Sequence, residues 1–164
     1  MEKRQEGLRA AFTGHQDYDG RADALLRGTV AELWRRGYRR FASGMASGFD
    51  LSAAEAVLGL RSELPGLELE AVVPFAGQER GFSPEDCMRH RAVFAAADRR
   101  TVLCDGYRRG CYFRRNDYLV EHADCLVAWY VRPASGTGYT VRRALRKGIE
   151  VVNLYDDPAN PRLF

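Results

Sequence analysis

Residues 41–58 read FASGMASGFDLSAAEAVL, and this stretch decides the fold. Phe41 and Ala42 end an apolar run that starts at Tyr38. Ser43, Gly44, Ser47 and Gly48 then carry the chain through a turn of small residues. From about Phe49 to Arg61 the pattern is helical, and Pro65 stops it, because proline cannot continue a helix. A strand that hands over to a helix through glycine and serine is one β-α unit, and the question is how many such units the chain contains.

Read outward, the pattern repeats in both directions. Residues 8–14, LRAAFTG, form a short apolar run. Residues 20–36 follow with two i, i+4 rows, Leu25, Thr29, Leu33 and Leu26, Val30, Trp34, which predict one apolar stripe on a helix closed by Gly37. Beyond the quoted stretch, residues 67–75 predict a third strand. Residues 83–97 predict a helix opened by Ser83, Pro84 and acidic first-turn residues. Strands are expected at 100–104, 123–131 and 149–155. Helices are expected at 113–122 and at about 138–147, the last with Val141, Ala144, Leu145 and Gly148 on one face. The order β-α-β-α-β-α-β-α-β-α-β demands crossover connections. The economical solution is a single doubly wound, Rossmann-like α/β domain over residues 1–164, with a mainly parallel sheet, helices on both faces and irregular tails at 1–6 and 156–164.

Composition excludes several classes. With 46% hydrophobic and 29% charged residues, the chain can build a packed core. A net charge of +3 is too small by itself to argue for nucleic acid. No apolar run reaches membrane-spanning length and MEKRQEG has no signal-peptide core, so the expectation is a cytoplasmic protein without a membrane partner. Cys87, Cys104, Cys111 and Cys125 form no CxxC, and His15, His90 and His122 are scattered, so no metal site is expected.

Ligands of open parallel sheets bind beyond the carboxyl ends of the strands. Three loops expected there are rich in Gly, Ser and Thr: residues 13–20, 41–50 and 132–140. Unpaired amides at a helix N-terminus favour an anion, and glycine lets a phosphate approach. Ser135, Gly136, Thr137, Gly138 and Thr140 fit a phosphate cradle, as do Gly44, Ser47 and Gly48. Neither loop is a Walker A or GxGxxG motif. Asp50 either complements its helix dipole or accepts hydrogen bonds from a ligand. Glu55 either faces solvent or reaches a substrate. Residues 106–119 interleave Arg108, Arg109, Arg114 and Arg115 with Tyr107, Tyr112, Phe113 and Tyr118. That mixture suits a phosphate with a stacked base or a single nucleic-acid strand, or else is a solvated loop anchored by its aromatics.

Two segments carry a resemblance. SGMASGFDLSAAEAVL (43–58) resembles the SGxAxGID…AH segment of the DprA (Smf) family. FRRNDYLVEHADCLVAWYVRPASGTGYTVRRALRKGIEV (113–151) resembles its RRNRIIAGLSD…VVEA…SGSLxTAxxALxxGReV segment. Together they cover about a third of the chain. They are similar to the SLOG superfamily of DprA-like and LOG-like Rossmann domains. AFTGHQDY, VVPFAGQERGF and the stand-alone length most resemble its small YpsA-like branch.

The resemblance implies a pocket for a nucleotide or nucleotide-derived ligand (NAD, ADP-ribose or related), with no cofactor certain. By motif position it uses Thr13, Gly14, Ser43, Gly44, Gly48, Asp50, Arg115, Asn116, Ser135, Gly136, Thr137 and Gly138, with Glu55 added where YpsA-like sequences carry WAAE. Related domains often dimerise, so a homodimer is a further expectation. LOG-type phosphoribohydrolases resemble PGGxGTxxE. Aligned on Gly136 and Gly138, that motif's catalytic Glu falls on Arg142, which cannot serve as an acid. The leading expectation is therefore binding or sensing of the ligand. The alternatives are a hydrolase of its N-glycosidic or phosphate bond using Asp50 or Glu55, and DprA-like single-stranded DNA binding, which the modest charge disfavours.

Overall fold

The computed structural model describes residues 7–155, and the tails expected at 1–6 and 156–164 lie outside the described residues. Six strands alternate with five α-helices: β1 (Leu8–Gly14), α1 (Asp23–Arg35), β2 (Tyr38–Ser43), α2 (Phe49–Leu60), β3 (Glu68–Val73), α3 (Pro84–Ala96), β4 (Arg99–Val102), α4 (Cys111–Glu121), β5 (Cys125–Trp129), α5 (Gly136–Lys147) and β6 (Glu150–Asn153). A short 3-10 turn, Gln78–Gly81, precedes α3 and had no counterpart in the pattern read from the sequence. Among the described residues no helix is long and apolar enough to cross a membrane.

All five strand pairings are parallel, in the order β4-β3-β2-β1-β5-β6. The chain steps from β1 to β4 in one direction. It then returns across the sheet through α4 to β5, which pairs with β1, and steps outward to β6. The side chains of α1, α2 and α3 pack in one core layer with Phe12, Phe41 and Leu69, whereas α4 and α5 pack in the other with Ala11, Val72 and Leu126. The helices therefore cover both faces, as right-handed crossovers in this strand order require. Connections on the two sides of β1 leave toward opposite faces, so a crevice opens at the carboxyl ends of β1 and β5. This is the switch point at which such sheets bind ligands.

The predicted helix stripes are narrower than the sequence pattern implied. On α1 the buried residues are Leu26, Val30 and Leu33, and Leu25 is 37% exposed. On α5 Val141 and Ala144 are buried but Leu145 is 60% exposed. Both leucines lie one position beyond the arc that meets the sheet, since neighbours on a helix diverge by about 100°. The start of α3 follows its signals: Ser83 Oγ accepts a hydrogen bond from the Asp86 amide at 3.2 Å, with Pro84 at the first helical position.

Candidate functional site

Gly14 ends β1 opposite Trp129 of β5 and sits beneath the start of α2. A Cβ there would lie 2.4 Å from Phe49, so only glycine lets the helix pack this closely on the strand. His15 follows, 4% exposed. Its Nε2 accepts hydrogen bonds from the amides of Val131 (3.0 Å) and Arg132 (3.2 Å), joining the loop after β1 to the loop after β5. A nitrogen that accepts from two amides carries no proton, so the ring is neutral with hydrogen on Nδ1. Burial, reinforced by the Arg132 charge, holds its pKa below the ordinary histidine value.

The turn from β2 to α2 is built around Ser43. Its hydroxyl donates to the Asp50 carbonyl at 2.8 Å and accepts from the Met45 amide at 3.2 Å. Met45 is fully buried in a left-handed conformation (φ 65°), which is uncommon for a residue with a side chain and is held here by the surrounding packing. The glycines of this turn answer to protein neighbours. A Cβ on Gly44 would lie 2.7 Å from Arg115 Cδ, and one on Gly48 would lie 2.4 Å from the Gln16 carbonyl oxygen. Gly48 also has φ 84°, a conformation glycine adopts without strain. The side-chain room at these two glycines is taken by an arginine and by the β1 loop.

What the turn presents is Asp50, in the first turn of α2 and 4% exposed. Oδ2 accepts a long hydrogen bond from the Ala46 amide (3.4 Å), while Oδ1 is buried with no partner among the described residues. Burial pushes the carboxyl up to about 6 against the pull of the Arg115 charge and nearby amides. From the opposite layer α4 brings Arg115, 7% exposed, with Nη1 donating to the Gly44 carbonyl at 2.6 Å and Nε to Asn116 Oδ1 at 2.8 Å. Both Arg115 and Asn116 line the cavity.

The third wall is the start of α5. Ser135 Oγ accepts from the Gly138 amide at 3.0 Å and donates to the Arg132 carbonyl, which fixes the cap. The amides of Gly136 and Thr137 find no acceptor among the described residues, as expected of a helix N-terminus. A Cβ on Gly136 would meet only Asn116 Nδ2, at 3.8 Å, so this glycine is open toward the cavity. On Gly138 it would lie 2.0 Å from the Pro133 carbonyl oxygen, so that glycine serves the loop.

These walls enclose a cavity of about 450 Å³ at the switch point. Of the residues singled out in the sequence, Thr13, Gly14, Asp50, Arg115, Asn116, Ser135, Gly136 and Thr137 line it. Ser43, Gly44, Gly48 and Gly138 support those residues from behind. Glu55 lies elsewhere, in a groove between α1 and α2, ion-paired with Arg89 of α3. Arg142 is exposed and donates to the Pro133 carbonyl at 2.8 Å. His15, Gln16, Asp17, Ala46 and Arg132 also line the cavity, and Arg132 pairs with Asp17 at 2.9 Å across its rim. The sequence reading missed these five, although His15-Gln16-Asp17 directly follow Thr13-Gly14. The open amides of a helix N-terminus and an arginine, set around a carboxylate with one unpartnered oxygen, can grip an anion and accept a hydroxyl proton or hydrogen bond beside it.

Fold and site together define a Rossmann-like protein with a cavity at the switch point, lined by a helix N-terminus, Arg115 and Asp50. The profile of the YpsA family, described as "YspA SLOG family", matches residues 21–150, and the chain belongs to this family. A UPF0398 protein of Bacillus thuringiensis is 30% identical over 111 residues, covering 66% of this chain and 60% of the relative. One from Bacillus velezensis is 34% identical over 85 residues, covering 51% and 47%. The chain thus spans 60% or less of the length of these curated relatives.

Among solved structures, a Helicobacter pylori DprA described for its single-stranded DNA binding mode superposes with TM-score 0.68 at 17% identity, over 94% of this chain and 68% of that one. Streptococcus pneumoniae DprA gives 0.64 at 18%, over 88% and 49%. The protein TM1055 gives 0.58 at 14%, over 88% and 72%. At these identities the likeness is one of fold.

Proposed function

We propose that the protein binds a nucleotide-derived ligand in the switch-point cavity, as a sensor or regulator. A phosphate is received by the Gly136 and Thr137 amides with Arg115 and Asn116 beside it, and Asp50 accepts a ribose hydroxyl. The observation that carries this reading is Asp50 Oδ1. Of the three buried side-chain polar atoms without a partner among the described residues, it alone belongs to a residue lining the cavity. An unpaired buried acceptor costs stability, on the order of 1–3 kcal/mol, and a ligand hydroxyl relieves that cost. Helix N-terminus, arginine and amide donors supply the complementary anion site.

The test is calorimetric titration with AMP, ADP-ribose and NAD. Saturable binding by at least one, weakened tenfold or more in Arg115→Met, supports the reading. Silence toward all three at millimolar concentration contradicts it.

A second reading has its own support. A carboxyl near pH 6 is tuned for proton transfer, so Asp50 could act as acid/base in hydrolysis of the bound ligand. Chromatography of each ligand after long incubation tests it: product formed by the protein and absent with Asp50→Asn is expected on this reading, and unchanged ligand rejects it. LOG-type chemistry has no carboxylate at its motif position, where Arg142 stands.

A further inference from the structure

An exposed aromatic surface lies beside Arg115, one of the residues lining the cavity. Tyr112 stands one turn before Arg115 and Asn116 on α4, so helical spacing puts it on their side of the helix and nearer the sheet's carboxyl edge. The Arg115 guanidinium lies 5.8 Å from the Tyr112 ring centroid. Tyr112 packs edge-on against Phe75 at 5.8 Å, and Phe75 packs edge-on against Tyr107 at 5.5 Å. The rings thus hold one another in place, yet Tyr112 is 43% and Tyr107 66% exposed. Aromatics that merely anchor a loop bury their rings in the core. These are fixed against each other at the surface, with Arg108 and Arg109 exposed beside them.

We infer that Tyr112, braced by Phe75 and Tyr107, is a base-stacking subsite, and that the ligand class is a nucleoside phosphate rather than a phosphorylated sugar alone. This rests on the cavity reading above. A phosphate at the α5 N-terminus and a ribose at Asp50 leave the base at the mouth, where a preordered ring costs little entropy to stack on. Two carboxylates line the cavity, Asp50 and Asp17. Arg132 holds both oxygens of Asp17, whereas the open Oδ1 of Asp50 accepts a hydrogen bond from a ribose hydroxyl and its charge opposes a phosphodiester chain passing over it. A mononucleotide-type ligand therefore fits better than a nucleic-acid strand.

The experiment compares AMP with ribose 5-phosphate by titration calorimetry on the full chain, in wild type, Tyr112→Ala and Tyr112→Phe. Stacking one base on an aromatic ring contributes roughly tenfold in affinity. The expected result is that AMP binds about tenfold more tightly than ribose 5-phosphate. Tyr112→Ala erases that margin and Tyr112→Phe keeps it. Ribose 5-phosphate binds all three proteins alike, which also reports that the variants are folded. Equal affinity for the two ligands in wild type overturns the stacking subsite and leaves the cavity reading standing. No binding of either overturns both. Oligothymidylate that binds more tightly than AMP, and depends on Tyr112, reassigns the surface to single-stranded nucleic acid and overturns the mononucleotide assignment.

Discussion

Arg115 Nη1 donates to the Gly44 carbonyl oxygen at 2.6 Å, and a Cβ on Gly44 would come within 2.7 Å of Arg115 Cδ. The glycine and the arginine come from opposite layers of the fold, so this contact ties α4 to the turn that presents Asp50.

Gly44→Ala is therefore a remote way to displace Arg115. The arginine is buried and cannot swing into water. We expect a loss of about 1–3 kcal/mol in unfolding free energy, typical of overpacking, and at least a tenfold loss of ligand affinity without any new contact to ligand. Urea denaturation and titration calorimetry on the same variant measure both. Unchanged affinity in a folded variant separates Arg115 from binding.

Asp50 has an unusual pH signature. Its folded pKa of about 6 lies above the ordinary 3.8, so the folded state binds more protons than the unfolded state between those values. Ionised Asp50 is thus a destabilising charge at pH 7, and its contribution improves as pH falls from about 6 toward 4. Asp50→Asn should raise stability at pH 7.5, by at most about 3 kcal/mol, with the gain shrinking toward pH 4. Thermal melts of both proteins across that range check it. A variant less stable than wild type at pH 7.5 contradicts the picture of a buried acid whose burial outweighs the pull of Arg115 and the nearby amides.

His15 acts in the opposite direction. Its folded pKa is depressed below 6.5, so its neutral form is the stabilising one and its contribution is lost as pH drops below about 6.5. In His15→Gln an amide oxygen can take over as acceptor for Val131 and Arg132 without titrating. Relative to that variant, wild type should lose stability between pH 7.5 and pH 5.5. His15→Ala strands two amides and should cost about 1–3 kcal/mol at pH 7.5. Guanidinium denaturation at the two pH values gives the comparison, and parallel pH dependence in wild type and His15→Gln rejects this role.

Ser135→Ala removes the cap of α5. The expected cost is about 1 kcal/mol of stability. Because the cap also orders the Gly136 and Thr137 amides, affinity for AMP should fall several-fold, while Ser135→Asp restores stability but repels the phosphate. Melting temperature and calorimetry together distinguish the two effects.

Much of the architecture is legible in the chain because periodicity is local. Ser83-Pro84 marks a helix start, and every strand and α-helix expected from the pattern occurs, within a few residues of its place. The reason for a small residue is not legible. FASGMASGFD suggests that Gly44 and Gly48 admit a ligand, whereas the neighbours a side chain would meet there, Arg115 and Gln16, arrive from distant segments. His15 carries no local signal, because its partners, the Val131 and Arg132 amides, become its neighbours only once β1 pairs with β5. Glu55 illustrates a spacing limit. Five residues after Asp50 it is rotated by about 140° around α2, so it cannot share the face that meets the cavity, and Arg89 holds it on the other side.

The central claim is that the cavity between Asp50 and the α5 N-terminus is the binding site. The most direct measurement is an amide ¹H–¹⁵N NMR titration with AMP. The account predicts saturable shifts concentrated at Gly14, Ala46, Gly136 and Thr137, while Glu55 and Arg89 stay still. Shifts confined to the groove around Glu55 and Arg89, or none at millimolar AMP, would contradict it.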